Sequence, residues 1–415
     1  MTPEAVVLVG ASALFIITAA SGWLERLFLT EPLTAMILGT VVGAFLAEPL
    51  ELESPLILTV LELTLALVLF SDASRINVKH LRDGYSWPLR MLIIGLPVVV
   101  VLGIIFSSWY LSLPLGLAML LAVTLAPTDA ALAEPVLEAD EVPARVRQAL
   151  NVESGLNDGL AVPLLLIAIG IIGAEEGAGV ANALRLVLSQ LGIGVVGGLV
   201  IGWLGATIIG RAGDSGRMNL LNQKVAAVAL ALAGFTAVQL IGGSGFVAVF
   251  IAGGLMSYLL TSPSEYIYQF AEAEGHSLVL IAFFIVGAGP VIQVIENGVP
   301  WQAVVVALAS LFVLRPVAIW LSLLGQRLSR RTVVFLAWFG PRGLATVVFL
   351  LVALEELGAL PVLIEDVIIT TVIISILLHG LSAVPMSRWL GGMKMDETMP
   401  EMGEVYAHPM RRGSN

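Results

Sequence analysis

Asn151-Val152-Glu153-Ser154-Gly155-Leu156-Asn157-Asp158-Gly159-Leu160-Ala161-Val162-Pro163 runs directly into Leu164 to Ile172, which carry hardly a polar atom. On a helix Ser154 and Asp158 lie four apart, one above the other, and Glu153 and Asn157 form a second pair on the neighbouring stripe. Two carboxylates, a hydroxyl and an amide thus share about one and a half turns of an otherwise apolar segment. A charge at membrane depth costs roughly 2.5–3.5 kcal/mol on insertion scales unless it is paired or hydrated. A sequence that accepts this cost usually does so for transport or catalysis.

The surroundings fix the class. The 415 residues are 58% hydrophobic and only 12% charged, with a mean hydropathy of +0.98, whereas soluble proteins carry about 25% charged residues. The apolar segments suit a hydrocarbon core about 30 Å thick and lack the two-residue alternation of an outer-membrane barrel. The expectation is an all-α polytopic membrane protein with the lipid bilayer as its main partner and no nucleic acid. The chain has no cysteine, which excludes disulfides and thiolate metal sites. His80, His276, His379 and His408 are its only histidines, far apart in sequence. Met1 to Gly22 lacks a basic leader and reads as a first span.

Thirteen candidate spans cover roughly 5–22, 32–47, 55–73, 88–110, 114–137, 145–171, 184–210, 223–241, 244–260, 276–293, 301–325, 332–352 and 366–390. With the N-terminus outside, 17 of the 20 basic residues fall on the cytoplasmic side, among them Arg26, Arg75, Lys79, Arg82, Arg90, Arg145, Arg147, Lys394, Arg411 and Arg412. The outer loops are acidic: Glu48, Glu51 and Glu53, then Glu175 and Glu176, then Glu355 and Glu356. The segment 261–275 runs against this trend, with Glu265, Glu272 and Glu274 and no Lys or Arg. The localisation expected is the plasma (inner) membrane, with the C-terminus cytoplasmic. The tail 391–415 is too short to bury a core of its own and is expected to be poorly ordered.

The fifth span is interrupted at Ala126-Pro127-Thr128-Asp129 and the twelfth at Phe339-Gly340-Pro341-Arg342-Gly343. The two stand seven places apart in span order, an odd offset, so they run in opposite senses, as in inverted six-helix repeats joined by a linker span. Paired interrupted helices point to a transporter's binding site, although Pro and Gly are also common in ordinary membrane helices. Pro127 removes a backbone donor and pushes residue 126 out of the helical region, leaving carbonyls near Thr128 open to a cation. Asp129 reads equally as a ligand and as a cap of the second half-helix. Arg342, alone in a broken apolar helix, requires an anion, and Glu153 is the expected partner in a structural ion pair. Arg315, before Pro316, pairs either with a helix C-terminus or with a carboxylate. Asp72, at the end of the third span, and Glu62, in its middle, are further candidate carboxylates.

These motifs resemble those of cation:proton antiporter family 1, the NhaP-type sodium/proton antiporters and their animal sodium/proton exchanger relatives. Thr128-Asp129, Glu153-Ser154-Gly155-Leu156-Asn157-Asp158-Gly159 and Phe339-Gly340-Pro341-Arg342-Gly343 carry the resemblance; Gly245 to Gly253 and Arg315-Pro316 extend it. It implies a single transporter domain over 1–390. The core comes from 88–171 and 301–390, the dimerisation scaffold from 5–73 and 184–293, and alternating access from an elevator-like shift of the core. By position, Asp158 is the ion- and proton-binding carboxylate, with Ser154, Asp129 and the Thr128 carbonyl around the ion; Asp158, Ser154 and Thr128 would hold Na⁺. Asn157 stands where electrogenic relatives carry a second aspartate. Relatives often place a glutamate after the Leu-Phe of the third span; here Ser71 stands there and Asp72 follows.

The function expected is therefore electroneutral Na⁺/H⁺ antiport by a homodimer, with no cofactor beyond the transported Na⁺ and H⁺. A K⁺/H⁺ antiporter of the same fold is the alternative within the class. From other classes come a cation channel and an intramembrane aspartyl protease using Asp129 and Asp158; neither aspartate has the Tyr-Asp or Gly-x-Gly-Asp setting that marks such enzymes. Oxygen ligands alone suit a hard monovalent cation, whereas divalent specialisation wants more carboxylates.

Overall fold

The computed structural model describes residues 3–26, 29–46, 50, 54–75, 86–260, 265–392 and 399–402, and all of their regular structure is helical. In chain order the helices are α1 (Pro3–Arg26), α2 (Glu31–Gly43), α3 (Pro55–Arg75), α4 (Ser86–Arg90), α5 (Leu96–Tyr110), α6 (Leu115–Thr124), α7 (Ala130–Leu137), α8 (Ala144–Gly173) and α9 (Val180–Asp214). There follow α10 (Leu220–Leu240), α11 (Gly245–Leu259), α12 (Glu265–Val286), α13 (Ile292–Asn297), α14 (Trp301–Ala309), α15 (Arg315–Ser322), α16 (Arg330–Trp338), α17 (Leu344–Leu357) and α18 (Val362–Gly391). Single π turns join α4 to α5, α12 to α13 and α14 to α15 into continuous rods.

Among the described residues, eight helices are long and apolar enough to cross a membrane, by length and composition, and four further apolar helical stretches are shorter. Local chemistry sets their starts. Pro114, Pro143, Pro300 and Pro361 stand in extended backbone immediately before α6, α8, α14 and α18, where a missing N–H costs nothing. Thr30, Asn219, Ser244 and Ser329 cap α2, α10, α11 and α16, each side-chain oxygen accepting from a first-turn N–H.

Packing is closest where side chains are smallest. Gly194, Gly198 and Gly202 form one stripe of α9, and a Cβ on them would fall 2.9, 2.6 and 2.8 Å from the main-chain oxygens of Ser244, Ala248 and Ala252. The two backbones can approach this closely only without side chains. The opposite face of α9 turns Val196, Val200 and Trp203 outward, each at least half exposed. At the centre, every residue of α17 from Leu344 to Leu351 is buried, as expected of a helix enclosed by other helices. The half-helices α6 and α7, and α16 and α17, pack with α8 and α18 around the two breaks.

The tail departs from expectation. Residues 399–402 dock on the helical body, and Glu401 is buried. Its Oε1 accepts from the Ser329 N–H and the Thr332 hydroxyl, both at 2.8 Å, adding a carboxylate to the capped N-terminus of α16, where the helix dipole favours negative charge. The Pro400 carbonyl accepts from Arg145 Nη1 at 2.8 Å, and the Arg145 guanidinium lies over the Trp87 ring. The rest of the tail, with Lys394, His408, Arg411 and Arg412, lies outside the described residues, as do Lys79, His80, Arg82, Glu48, Glu51 and Glu53. Replacing Glu401 with Ala should destabilise the protein by about 1–2 kcal/mol, the range for loss of a helix cap. A lowered melting midpoint in detergent is the expected result; an unchanged one would mean that the turn contributes nothing.

Candidate functional site at the crossing of two broken helices

The two interruptions meet. The Asp129 N–H donates to the Pro341 carbonyl at 2.8 Å, so one unwound segment closes a backbone bond onto the other. Asp129 has extended backbone and caps α7, its Oδ1 accepting from the Ala131 N–H at 2.9 Å. Its Oδ2 accepts from the Leu344 N–H at 2.7 Å, at the start of α17. One carboxylate thus serves the positive ends of two half-helices from opposite breaks. Gly343 makes this approach possible, because a Cβ there would sit 2.1 Å from Asp129 Oδ2. Of the two roles open to Asp129 from sequence, the structure gives capping, and it gives it twice.

The negative ends are met by donors. The Ala126 carbonyl, behind α6, accepts from Asn157 Nδ2 at 3.4 Å, and the same nitrogen lies 3.5 Å from Thr128 Oγ1. Thr128 Oγ1 is 3.1 Å from Ser154 Oγ. Behind α16, Phe339 O accepts from Arg315 Nη2 at 2.9 Å and Gly340 O from Arg342 Nη1 at 2.7 Å. His379 Nε2 lies 2.9 Å from Trp338 O.

The expected pairing of Glu153 with Arg342 is not the one formed. Arg315 holds Glu153 in a two-pronged bond, Nη1 to Oε1 at 2.8 Å and Nη2 to Oε2 at 3.0 Å. Both side chains are almost wholly buried. The geometry explains the choice. Arg315 reaches the break from a separate helix, and its planar fork spans a carboxylate and the Phe339 carbonyl together. Arg342 lies within the break and folds back on Gly340. Arg315 passes so close to the chain that a Cβ at Gly340 would lie 1.6 Å from its Nε. The two partners considered for Arg315, a helix C-terminus and a carboxylate, are both satisfied. Arg342 is fully buried; its Nε and Nη2 have no hydrogen-bond partner among the described residues.

Asp158 is buried, and its Oδ1 likewise has no partner among the described residues. It lines a cavity of about 110 Å³ together with Ser71, Asp72 and Asp129. Asp72 reaches this cavity from α3 and touches α8 at Gly155, where an added Cβ would lie 3.0 Å from its own. Glu62, ten residues earlier on α3 and also buried, does not line it. Of the two third-span carboxylates, Asp72 is therefore the one at the site. Glu134, Glu138 and His276 line this cavity and also a larger one of about 420 Å³. There His276 Nε2 is 2.8 Å from Glu31 and Nδ1 is 3.3 Å from Glu134.

Sequence reasoning passed over Ser375 and His379 on α18. Ser375 Oγ accepts from the Arg342 N–H at 2.6 Å. Their signal was present: a polar pair four apart in an apolar helix, the same pattern that marks Ser154 and Asp158.

Removing one member of a buried ion pair typically costs about 3–5 kcal/mol. Arg315→Ala should therefore lose most of its folded yield on fluorescence-detected gel filtration, and adding Glu153→Gln should recover part of it. Glu153→Gln should not rescue Arg342→Ala in the same way. Equal rescue of both would show that the Arg315 pairing is not the stabilising one.

Residues 11–389 match the family described as sodium/hydrogen exchanger, transmembrane. The chain is 26% identical over 333 residues to the K⁺/H⁺ antiporter NhaP of Alkalimonas amylolytica, covering 79% of this chain and 56% of that one. It is 25% identical over 337 residues to the K⁺/H⁺ antiporter NhaP2 of Shewanella sp. (strain MR-4), with the same shares. It thus spans little more than half the length of these relatives. In fold it is similar to the sodium proton antiporter MjNhaP1 from Methanocaldococcus jannaschii, with a TM-score of 0.74 and 21% identity, covering 92% of this chain and all of that one. The chain belongs to the sodium/hydrogen exchanger family of transmembrane transporters.

Proposed function

We propose that this protein is a secondary active antiporter that exchanges a cytoplasmic monovalent cation, Na⁺ in the first instance, for an external proton. The observation that carries this reading is Asp158: a buried carboxylate with one oxygen unpartnered among the described residues, at the wall of a cavity beside the crossing. A carboxylate so withdrawn from water is stable only when a proton or a cation neutralises it. One oxygen site that accepts either, but not both, makes the two compete. Ser154 and Thr128 supply neutral oxygens within hydrogen-bonding distance of each other, and Asp72 adds a second carboxylate to the same wall. The aspartyl protease alternative needs two aspartates acting on one water, yet both oxygens of Asp129 are engaged by helix N-termini.

The rest of the reading follows from charge placement and family. The basic loops favour an N-terminus outside and a cytoplasmic C-terminus in the plasma membrane. In that orientation Glu31, Glu134 and His276 ring a cytoplasmic mouth. Residues 88–171 and 301–390 act as the moving core, and 5–73 and 184–293 as the scaffold of a homodimer. The cycle needs no cofactor. K⁺ is the second cation to consider, because the curated relatives above are named as K⁺/H⁺ antiporters.

Reconstituted into proteoliposomes with an internal pH dye and an imposed pH gradient, the protein should release the gradient on addition of Na⁺; Li⁺ and K⁺ added in turn rank the cations. Asp158→Asn should fall to the background of empty vesicles while remaining monodisperse, since an amide neither releases a proton nor compensates a cation. Wild-type rates in that variant would remove Asp158 from the site.

Exchange should also be electroneutral. Asn157 cannot titrate, and its amide is engaged by the Ala126 carbonyl, while Glu153 is held by Arg315. Asp158 is taken as the one carboxylate that titrates in the cycle, Asp72 on the same wall keeping its charge throughout; this gives one proton per cation, whereas two titrating in one site split their proton affinities and permit a second proton. Na⁺-driven proton flux should therefore be the same at every clamped membrane potential. A steep dependence on potential would show that a second group titrates in each cycle.

A further inference from the structure

We propose that His379, acting with Ser375, is a positioning residue that holds the 339–343 break in register with the ion site. This rests on the transport reading of that site and goes beyond it, to a helix that contributes no ligand.

The geometry closes around the break from both sides. Upstream, His379 Nε2 faces the Trp338 carbonyl at 2.9 Å, the last helical residue of α16. Downstream, the Arg342 N–H donates to Ser375 Oγ at 2.6 Å. Ser375 and His379 are one turn apart on α18 and fully or almost fully buried. Ser375 Oγ lies 3.3 Å from His379 Nδ1. Having accepted from Arg342, the hydroxyl can give its own proton to Nδ1, which leaves Nε2–H to donate to Trp338 O. This assignment uses each donor once and keeps the ring neutral, as suits a ring near two buried arginines. Nδ1 also stands 2.9 Å from the Ser375 carbonyl, so either neutral tautomer leaves one carbonyl facing a lone pair; the Nε2–H form is the one that also lets the Ser375 hydroxyl donate to the ring. The ring stacks on Trp338, with centroids 4.9 Å apart and planes at 21°. Van der Waals contact and hydrogen bonding thus fix it independently.

The consequence reaches the ion site within two residues. Arg342, held by Ser375, precedes Gly343 and Leu344, whose N–H binds Asp129 Oδ2. The Pro341 carbonyl, inside the clamped segment, accepts the Asp129 N–H. Asp129 follows Thr128, which contacts Ser154. A shift of the break therefore moves both Asp129 contacts, and Thr128 with them. Helical hydrogen bonds reach only the two ends of the break, from the Phe339 N–H to Phe335 O and from the Val347 N–H to Gly343 O, and leave Gly340 to Arg342 to other partners. The clamp resists such a shift from α18.

The nitrogens can be tested one at a time. His379→Gln retains a donor near the Nε2 position, His379→Asn retains an acceptor near Nδ1 but loses the reach to Trp338, and His379→Phe keeps the ring without either nitrogen. Each is measured in proteoliposomes for half-saturating Na⁺ and maximal rate, and in detergent for the Na⁺ concentration that half-maximally raises the melting temperature, which reports binding without exchange. The expected result is a roughly tenfold higher half-saturating Na⁺ in His379→Phe and His379→Asn, equivalent to about 1.4 kcal/mol. Maximal rate should stay within about twofold, an allowance below that tenfold step, and His379→Gln should lie near wild type. Wild-type half-saturation in His379→Phe, impairment of Gln equal to that of Phe, or a fall in maximal rate alone would each overturn the proposal. If His379→Phe does not fold, equal half-saturation in Gln and Asn overturns it. Wild type that binds Na⁺ without exchanging it defeats the transport reading and leaves the clamp to be judged by the binding midpoints. Wild type that neither binds nor exchanges Na⁺ or K⁺ defeats both.

Discussion

A polypeptide inside a bilayer must satisfy its own backbone polar groups, because the surroundings offer none. Two helices broken at the same depth create the hardest version of this constraint: four new helix ends, each with orphan N–H or C=O groups. Here the four ends are brought to one place and serve one another. The positive ends of α7 and α17 share the Asp129 carboxylate. The carbonyls behind α16 take Arg315, Arg342 and His379, and the one behind α6 takes Asn157. Anions meet N-termini and cations meet C-termini, in the sense of the helix dipole.

Charge accounting then isolates one group. Asp129 is engaged twice by backbone N–H groups. Glu153 is engaged by both prongs of Arg315. Asp158 alone, among the carboxylates of α8, keeps a buried oxygen without a partner among the described residues. The same interactions that make the crossing stable thus leave Asp158 with an oxygen, and Arg342 with two nitrogens, that no hydrogen bond among the described residues engages. In the proposed antiport reading, the site for an exchangeable cation or proton is the chemical remainder of a structural solution, with stabilising residues and proposed binding residues interleaved along a single helix.

The crossing is also tied to its surroundings at several depths. Glu401 adds a carboxylate to the N-terminus of α16, while Ser375 and His379 hold the break at its other end. The half-helix between them is therefore fixed at both termini by groups from the C-terminal part of the chain.

Composition and hydropathy alone determined that the protein is a bundle of apolar helices, and Pro127, Gly340, Pro341 and Gly343 determined where two of them break, because a missing donor or a missing Cβ acts within a few residues. The spacing of Ser154 and Asp158 put them on one helical face for the same local reason. Partner choice was decided only by the tertiary structure. Glu153 had two arginines within chemical reason, and which one takes it depends on where α15 lies against the break, a matter of packing among segments over a hundred residues apart. Asp72 rather than Glu62 lines the cavity because α3 meets α8 at Gly155 near its Asp72 end, about 15 Å along the helix axis from Glu62. Asp129 binds α17 as well as α7 only because the two breaks coincide in space. Ser375 and His379 gained their role from a neighbour in three dimensions that no spacing along α18 encodes.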